Sequence, residues 1–327
     1  MPYSKMRIKA VVTAGLCAAM TLSSATIAFA EKVPVEPTSA VVKSDDVSDV
    51  VDGGVSVWSL PAQEDEGADE NAREDASSTV ATITRDGEVT SFNSLNQAVE
   101  SAQEGDVVTL EEGAQIALSS PVVVSGKTIT IDLNGAKITR ADGNKTAQLI
   151  EVASGAGLTI EDGKGTGVIE SSNYAGDDEK TYGVLSYGSL TVSGGTFKAY
   201  RPVCFKGAAS SGLITGGDFS GVYGLSVMNG ATATVEGGAF TGDSDGAIVS
   251  GEGSSLKMTG GTVTVSNPET SNKSALHVQL KAKVELLGGE ILGGYGENAS
   301  AVALLSSNGT IGESAHIKGN AGVSLFT

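Results

Sequence analysis

Residues 190–197 read LTVSGGTF, and the glycine pair inside this stretch returns down the chain as Gly194-Gly195, Gly216-Gly217, Gly237-Gly238, Gly260-Gly261 and Gly288-Gly289. The spacings are 22, 21, 23 and 28 residues. A near-constant period of that length marks stacked structural units. Before the pairs, apolar residues alternate (Leu190 and Val192; Leu256 and Met258; Val284 and Leu286), and another apolar residue stands two positions after each pair (Phe197, Phe219, Phe240, Val263, Ile291). The inward parity switches across the glycines, so the strand turns a corner there. Glycine permits a tight corner because it has no Cβ to strain. A further apolar strand completes each unit: VLSY (184–187), LSVM (225–228), AIVS (247–250), ALHV (275–278). Strands that return to one angular position every 21 to 28 residues pair with their counterparts one coil away, parallel and in register. The expected fold is all-β, a parallel β-helix with coils about 4.8 Å apart.

Weaker copies extend the pattern: ITIDLNGAKI (129–138), LTIEDGKGTGVI (158–169) and NGTIGESAHI (308–317). About eight coils fit residues 80–327. Residues 80–105 read as a cap. VATIT and EVTSF flank Asp86-Gly87, a hairpin signal. One amphipathic helix follows, with Leu95, Ala98, Val99 and Ala102 on one face, Asn93 or Ser94 as N-cap and Gly105 past its end. At the other end AGVSLFT (321–327) looks like the opening strand of another coil. The expectation there is a sequence that continues in a longer surface protein, or an end that associates with another copy.

The stretches FNSLNQAVESAQEGDVVTL (92–110) and TITIDLNGAKIT (128–139), with the LTVSGGTF series, resemble the pectin-lyase-like superfamily over roughly residues 80–327. The resemblance implies right-handed coils, a secreted or cell-surface bacterial protein, and commonly a role on polysaccharides. It says more about architecture than about activity.

Upstream of the repeats, Lys5, Arg7 and Lys9 precede an apolar run from Ala10 to Ile27 that stops at Ala28-Phe29-Ala30. This pattern predicts a signal peptide over residues 1–30, export, and no membrane insertion after its removal. Residues 31–79 read as a disordered acidic spacer. Between Glu31 and Ser78 there are 13 acidic and 3 basic residues, with one apolar island, VSVWSL (55–60), around Trp58. The formal charge of −18 becomes −21 once the three signal-peptide cations leave, 18 basic against 39 acidic residues. Such a surface disfavours nucleic acid as a partner. Cys204 is then the single cysteine, which rules out an intrachain disulfide framework. It occupies the place of Leu225, Ile248 and Leu276 relative to the glycines, which predicts a buried structural thiol.

No catalytic residue is assigned. Pectate lyases of the resembled superfamily hold Ca²⁺ on clustered carboxylates beside a basic residue, and no strand here carries that pattern. His277 and His316 have no carboxylate beside them along the chain. No cofactor is expected, with Ca²⁺ left open at two acidic turns, Asp177-Asp178-Glu179 and Asp243-Ser244-Asp245-Gly246; the latter lacks the later ligands of a calcium loop and reads first as a plain Asp-Gly turn. Loops that leave equivalent corners should stack into one ridge. Tyr174, Tyr182, Tyr200, Tyr223 and Tyr295 fall in these loops. Tyrosine among Asp, Asn and Glu suits a shallow sugar-binding surface, and the plainer alternative is that the rings shield the loop bases. The functional expectation is an exported, non-catalytic adhesin or surface-binding module, its ridge contacting a glycan or a host surface protein. The alternative is a carbohydrate-active enzyme, a polysaccharide lyase or glycoside hydrolase.

Overall fold

Every coil solves the same problem, which is to hide one side of three short strands while their backbone groups find partners. The computed structural model describes residues 78–171, 181–297 and 299–326. The expected signal peptide, the spacer up to residue 77 with Trp58, and Tyr174, Asp177 and Asp178 lie outside them. Among the described residues no helix is long and apolar enough to cross a membrane.

The protein is a parallel β-helix. On its first face Gly157–Glu161, Ser189–Val192, Ser211–Ile214, Thr232–Val235 and Ser255–Met258 succeed one another in parallel register. Leu158, Leu190 and Leu256 share one inward row, with Ala233 and Gly212 as its small members. The second face stacks Phe197, Phe219 and Phe240, all at most 1% exposed. Their ring centroids are 4.8 and 4.7 Å apart, with interplanar angles of 15° and 8°. The inter-coil spacing itself imposes this near-parallel stacking. The third face carries Val184, Val203, Leu225, Ala247, Leu276 and Val302 in one inward row. Nine successive strands make up the first face, from Val107–Leu110 to the first half of Asn308–Lys318.

The glycine pairs mark the corner between the first and second faces, and the two members act differently. At the first position an added Cβ would stand 2.5, 2.2, 2.1 or 2.4 Å from a carbonyl oxygen of the preceding coil at Gly216, Gly237, Gly260 and Gly288. At the second position φ is positive, from +81° at Gly261 to +101° at Gly217. One glycine allows the coils to approach; the other allows the bend.

The N-terminal end is closed as the sequence suggests. Strands Ala81–Arg85 and Glu88–Phe92 form an antiparallel hairpin through Asp86 and Gly87, both at positive φ. The hairpin also pairs antiparallel with Val107–Leu110. The helix runs Leu95–Ser101 and buries Leu95, Ala98 and Val99 on the first coil. Its last carbonyls are met by Lys127, whose Nζ donates to Val99, Glu100 and Ala102 oxygens at 2.6, 3.0 and 2.7 Å. Arg85 binds the Asp106 carboxylate and the Ser101 carbonyl, tying hairpin, helix and first coil together. At the other end Leu325 and Phe326 are 72% and 53% exposed.

One register differs from the sequence reading. Cys204 lies opposite Ser226, not Leu225; Val203 takes the place opposite Leu225. The thiol is buried, but it belongs to the outer side of the third face, with Ile248 and His277 following Ser226 in the same row. Cys204 and Ile248 are buried outside the main core cluster. The slip arises because the loop between the second and third faces varies in length, so distance from the glycines does not fix parity on the third face.

Candidate functional site

Two of the expected loops, 220–224 and 241–246, run inside the continuous strands Asp218–Met228 and Ala239–Ser250, so the second and third faces join there without a loop, and Tyr200 lies in the short break between Thr196–Lys198 and Arg201–Lys206. Tyr182 pairs with Arg201 across one coil step and Tyr223 with Asp245 across a later one. Between them the Tyr223 amide donates to the Tyr200 carbonyl at 3.2 Å. Of the five candidate tyrosines, Tyr200 and Tyr223 set their rings near Arg201, while Tyr182 is its neighbour in strand register. The Tyr200 and Tyr223 rings meet edge to face with centroids 5.7 Å apart. The Arg201 guanidinium sits 4.1 Å from the Tyr223 ring centre and 5.6 Å from that of Tyr200. Arg201 is 7% exposed, and its Nη1 donates to Ser226 Oγ at 2.6 Å. Among the described residues no carboxylate pairs with it. Among the described residues, two aromatic rings and a hydroxyl are what holds this charge. Burial, helped by the neighbouring Tyr223, raises the Tyr200 phenol above its ordinary value, so it remains a donor at neutral pH. Tyr295 stands apart, 49% exposed, its amide donating to the Pro268 carbonyl.

Beside this cluster opens a cleft of about 380 Å³ lined by Tyr223, Ser244, Asp245, Ile248, His277 and Gln279, with the 272–274 loop at its rim. Asp245 is 6% exposed. Its Oδ1 stands 3.4 Å from His277 Nδ1, and its Oδ2 accepts from Ser244 Oγ at 3.2 Å. The fold thus supplies from the preceding coil the carboxylate that His277 lacks along the chain. Coiling does this because the 245–250 strand is the in-register neighbour of the strand that carries His277.

Of the acidic-turn candidates only Asp243 and Asp245 are among the described residues, and their carboxylates have different partners. Asp243 is exposed and accepts from Ser266 Oγ at 2.6 Å, while Asp245 turns to His277. Among the described residues no three His, Cys, Asp or Glu side chains are grouped to hold a metal ion. Cys204 borders the cluster, but burial pushes its thiol up to about 11, so it is neutral and a poor nucleophile. The cleft offers an aromatic ring, an apolar side chain, one buried carboxylate, one imidazole, the Lys273 ammonium at its rim and several neutral hydrogen-bonding groups. This inventory suits a polyhydroxylated ligand. No family model, curated protein or solved structure matches the chain, so the functional argument rests on these residues.

Proposed function

We propose that the chain is an exported surface-binding module, in which a rigid β-helical stalk presents the Tyr200–Arg201–Tyr223 cluster and its adjoining cleft to an extracellular glycan. The observation that carries this reading is the convergence of the Tyr200 and Tyr223 rings on a buried guanidinium next to a polar cleft. Arg201 locks the rings in place, so a sugar meets a pre-formed aromatic wall and loses little of its binding energy to ordering side chains. A bacterial cell surface, as the pectin-lyase-like resemblance implies, is the setting that fits the leader and the acidic spacer. A host surface protein is the other partner class. The reading is tested on a glycan array with the secreted chain: Tyr223→Ala should lower the signal at least tenfold, and Tyr295→Ala should leave it unchanged. An array on which both variants match the parent protein would remove the ridge from the proposal.

One observation favours the alternative reading, a carbohydrate-active enzyme. The Asp245–His277 pair lines a cleft, and an imidazole beside a carboxylate is a common proton acceptor. Incubation with plant and mucin polysaccharides separates the two readings. Appearance of reducing or unsaturated ends that is lost in His277→Ala supports the enzyme, and their absence supports the binding module.

A further inference from the structure

Asp245 and His277 both carry unused hydrogen-bonding capacity. A carboxylate offers about four lone-pair sites. In the buried Asp245 group these are met by one hydroxyl at 3.2 Å and one imidazole nitrogen at 3.4 Å, the latter beyond normal hydrogen-bond length. His277 Nε2 is buried and has no hydrogen-bond partner, while the side chain as a whole is 27% exposed. Buried polar groups in folded proteins are almost always satisfied by protein or ordered water, so the spare capacity of these two groups on one cleft wall is open to whatever enters the cleft. The groups around them do not take it up. Ser244 is already used, and Ile248 is apolar. Gln279 spends its amide on Ser250 Oγ at 3.2 Å.

We infer that this pair is the specificity element of the cleft, and that it takes adjacent hydroxyl groups of an uncharged saccharide, excluding sugars that bear a carboxylate or sulfate. Two neighbouring sugar hydroxyls donate to the free lone pairs of Asp245, and a modest turn of the imidazole brings Nε2 to a third. The sugar's apolar face lies on Ile248 and Tyr223. An acidic ligand would set a second negative charge against Asp245 in a partly desolvated site, on a chain of formal charge −18. Two cations adjoin the cleft, and each opposes that repulsion only in part: Arg201 is buried behind the Tyr223 ring, and Lys273 lies exposed at the rim, where solvent screens it. The inference rests on the cleft being the saccharide site proposed above.

The test measures binding of the secreted chain, by calorimetry, to neutral oligosaccharides (gluco-, manno- and galacto-configured) and to oligogalacturonate and sulfated oligosaccharides. The expected result is binding of at least one neutral class with an affinity insensitive to ionic strength. Asp245→Asn should weaken it about tenfold or more and narrow the gap between neutral and acidic ligands. Circular dichroism and the unfolding midpoint establish that Asp245→Asn is folded, and Ser266→Ala, on the ridge but outside the cleft, serves as the control. Neutral binding that Asp245→Asn leaves unchanged overturns the inference and spares the module reading. Acidic oligosaccharides bound as tightly as neutral ones overturn it as well. Binding of no saccharide of either kind sinks the inference and the glycan reading together.

Discussion

At the scale of single residues, the glycine pairs make the sharpest prediction. Gly237→Ala drives a methyl group into the Thr215 carbonyl of the preceding coil, which stands 2.2 Å from the new Cβ. Overpacking against backbone of this kind costs about 1–3 kcal/mol. Gly194→Ala meets only Asp162 at 3.5 Å, an ordinary contact, and should fall within about 0.5 kcal/mol of the parent. Chemical denaturation of the two variants checks the difference. The tandem pairs are plain in the sequence, yet their division of labour is not, because the clash partner belongs to another coil. The thiol of Cys204 makes a second prediction. Its pKa is raised from 9.0 to about 11 by burial, so it should resist thiol reagents at pH 8 and label only on unfolding. Because the folded value is the higher one, the thiol's contribution to stability is intact below pH 9 and is lost as the pH climbs toward 11. Native-state labelling at the rate of a free thiol would contradict the placement.

At the scale of elements, the cap depends on two cross-links that helix propensity alone would not reveal. The helix is seven residues long, and an isolated helix of that length does not form in water. Its apolar face on the first coil and the Lys127 ammonium on its last carbonyls hold it. Lys127→Met keeps the stem and removes the charge, and should cost about 1–2 kcal/mol in a thermal or denaturant melt. The Asp106 carboxyl is held below its ordinary value, chiefly by the hydrogen bond from Arg85 and partly by the Gln103 amide, with burial opposing. A depressed carboxylate stabilises the fold above the unfolded-state value and loses that contribution as the pH falls through the folded one. The unfolding midpoint should therefore drop on acidification below pH 4, and Asp106→Asn should flatten that part of the profile. Helix, hairpin and Asp-Gly turn were legible from local signals. The third face was not fully legible, because the coil that carries His277 is longer. Ile248 lies ten residues past Gly238, whereas its partner His277 lies sixteen past Gly261. The added loop conceals the alignment that would have placed Asp245 beside His277.

At the scale of the whole molecule, stability is a sum of coil–coil steps with few contacts beyond nearest neighbours. Phe219 sits between Phe197 and Phe240 in the ring ladder, so Phe219→Ala removes two stacking partners and opens a cavity in the middle of the array. A loss of about 3–5 kcal/mol is expected. The same repetition that supplies the core also builds the cleft, since Tyr200, Tyr223, Asp245 and His277 come from four successive coils and meet only if each turn of chain lands in register on the last. The periodic glycines placed Tyr200 and Tyr223 at successive corners, and their rings do meet at Arg201, although 220–224 and 241–246 are strand and not the loops expected. The cleft chemistry was hidden, because Asp245 and His277 are separated by 32 residues and neither lies in a recognisable motif. The register can be measured directly. Thr128 and Ser255 are linked by five in-register coil steps through Gly157, Ser189, Ser211 and Thr232. Spin labels at these two positions, in a Cys204→Ser background, should give a narrow distance distribution centred at about 24 Å between backbones. A broad distribution, or one centred well beyond that separation, would contradict the stacked coil and the cleft that depends on it.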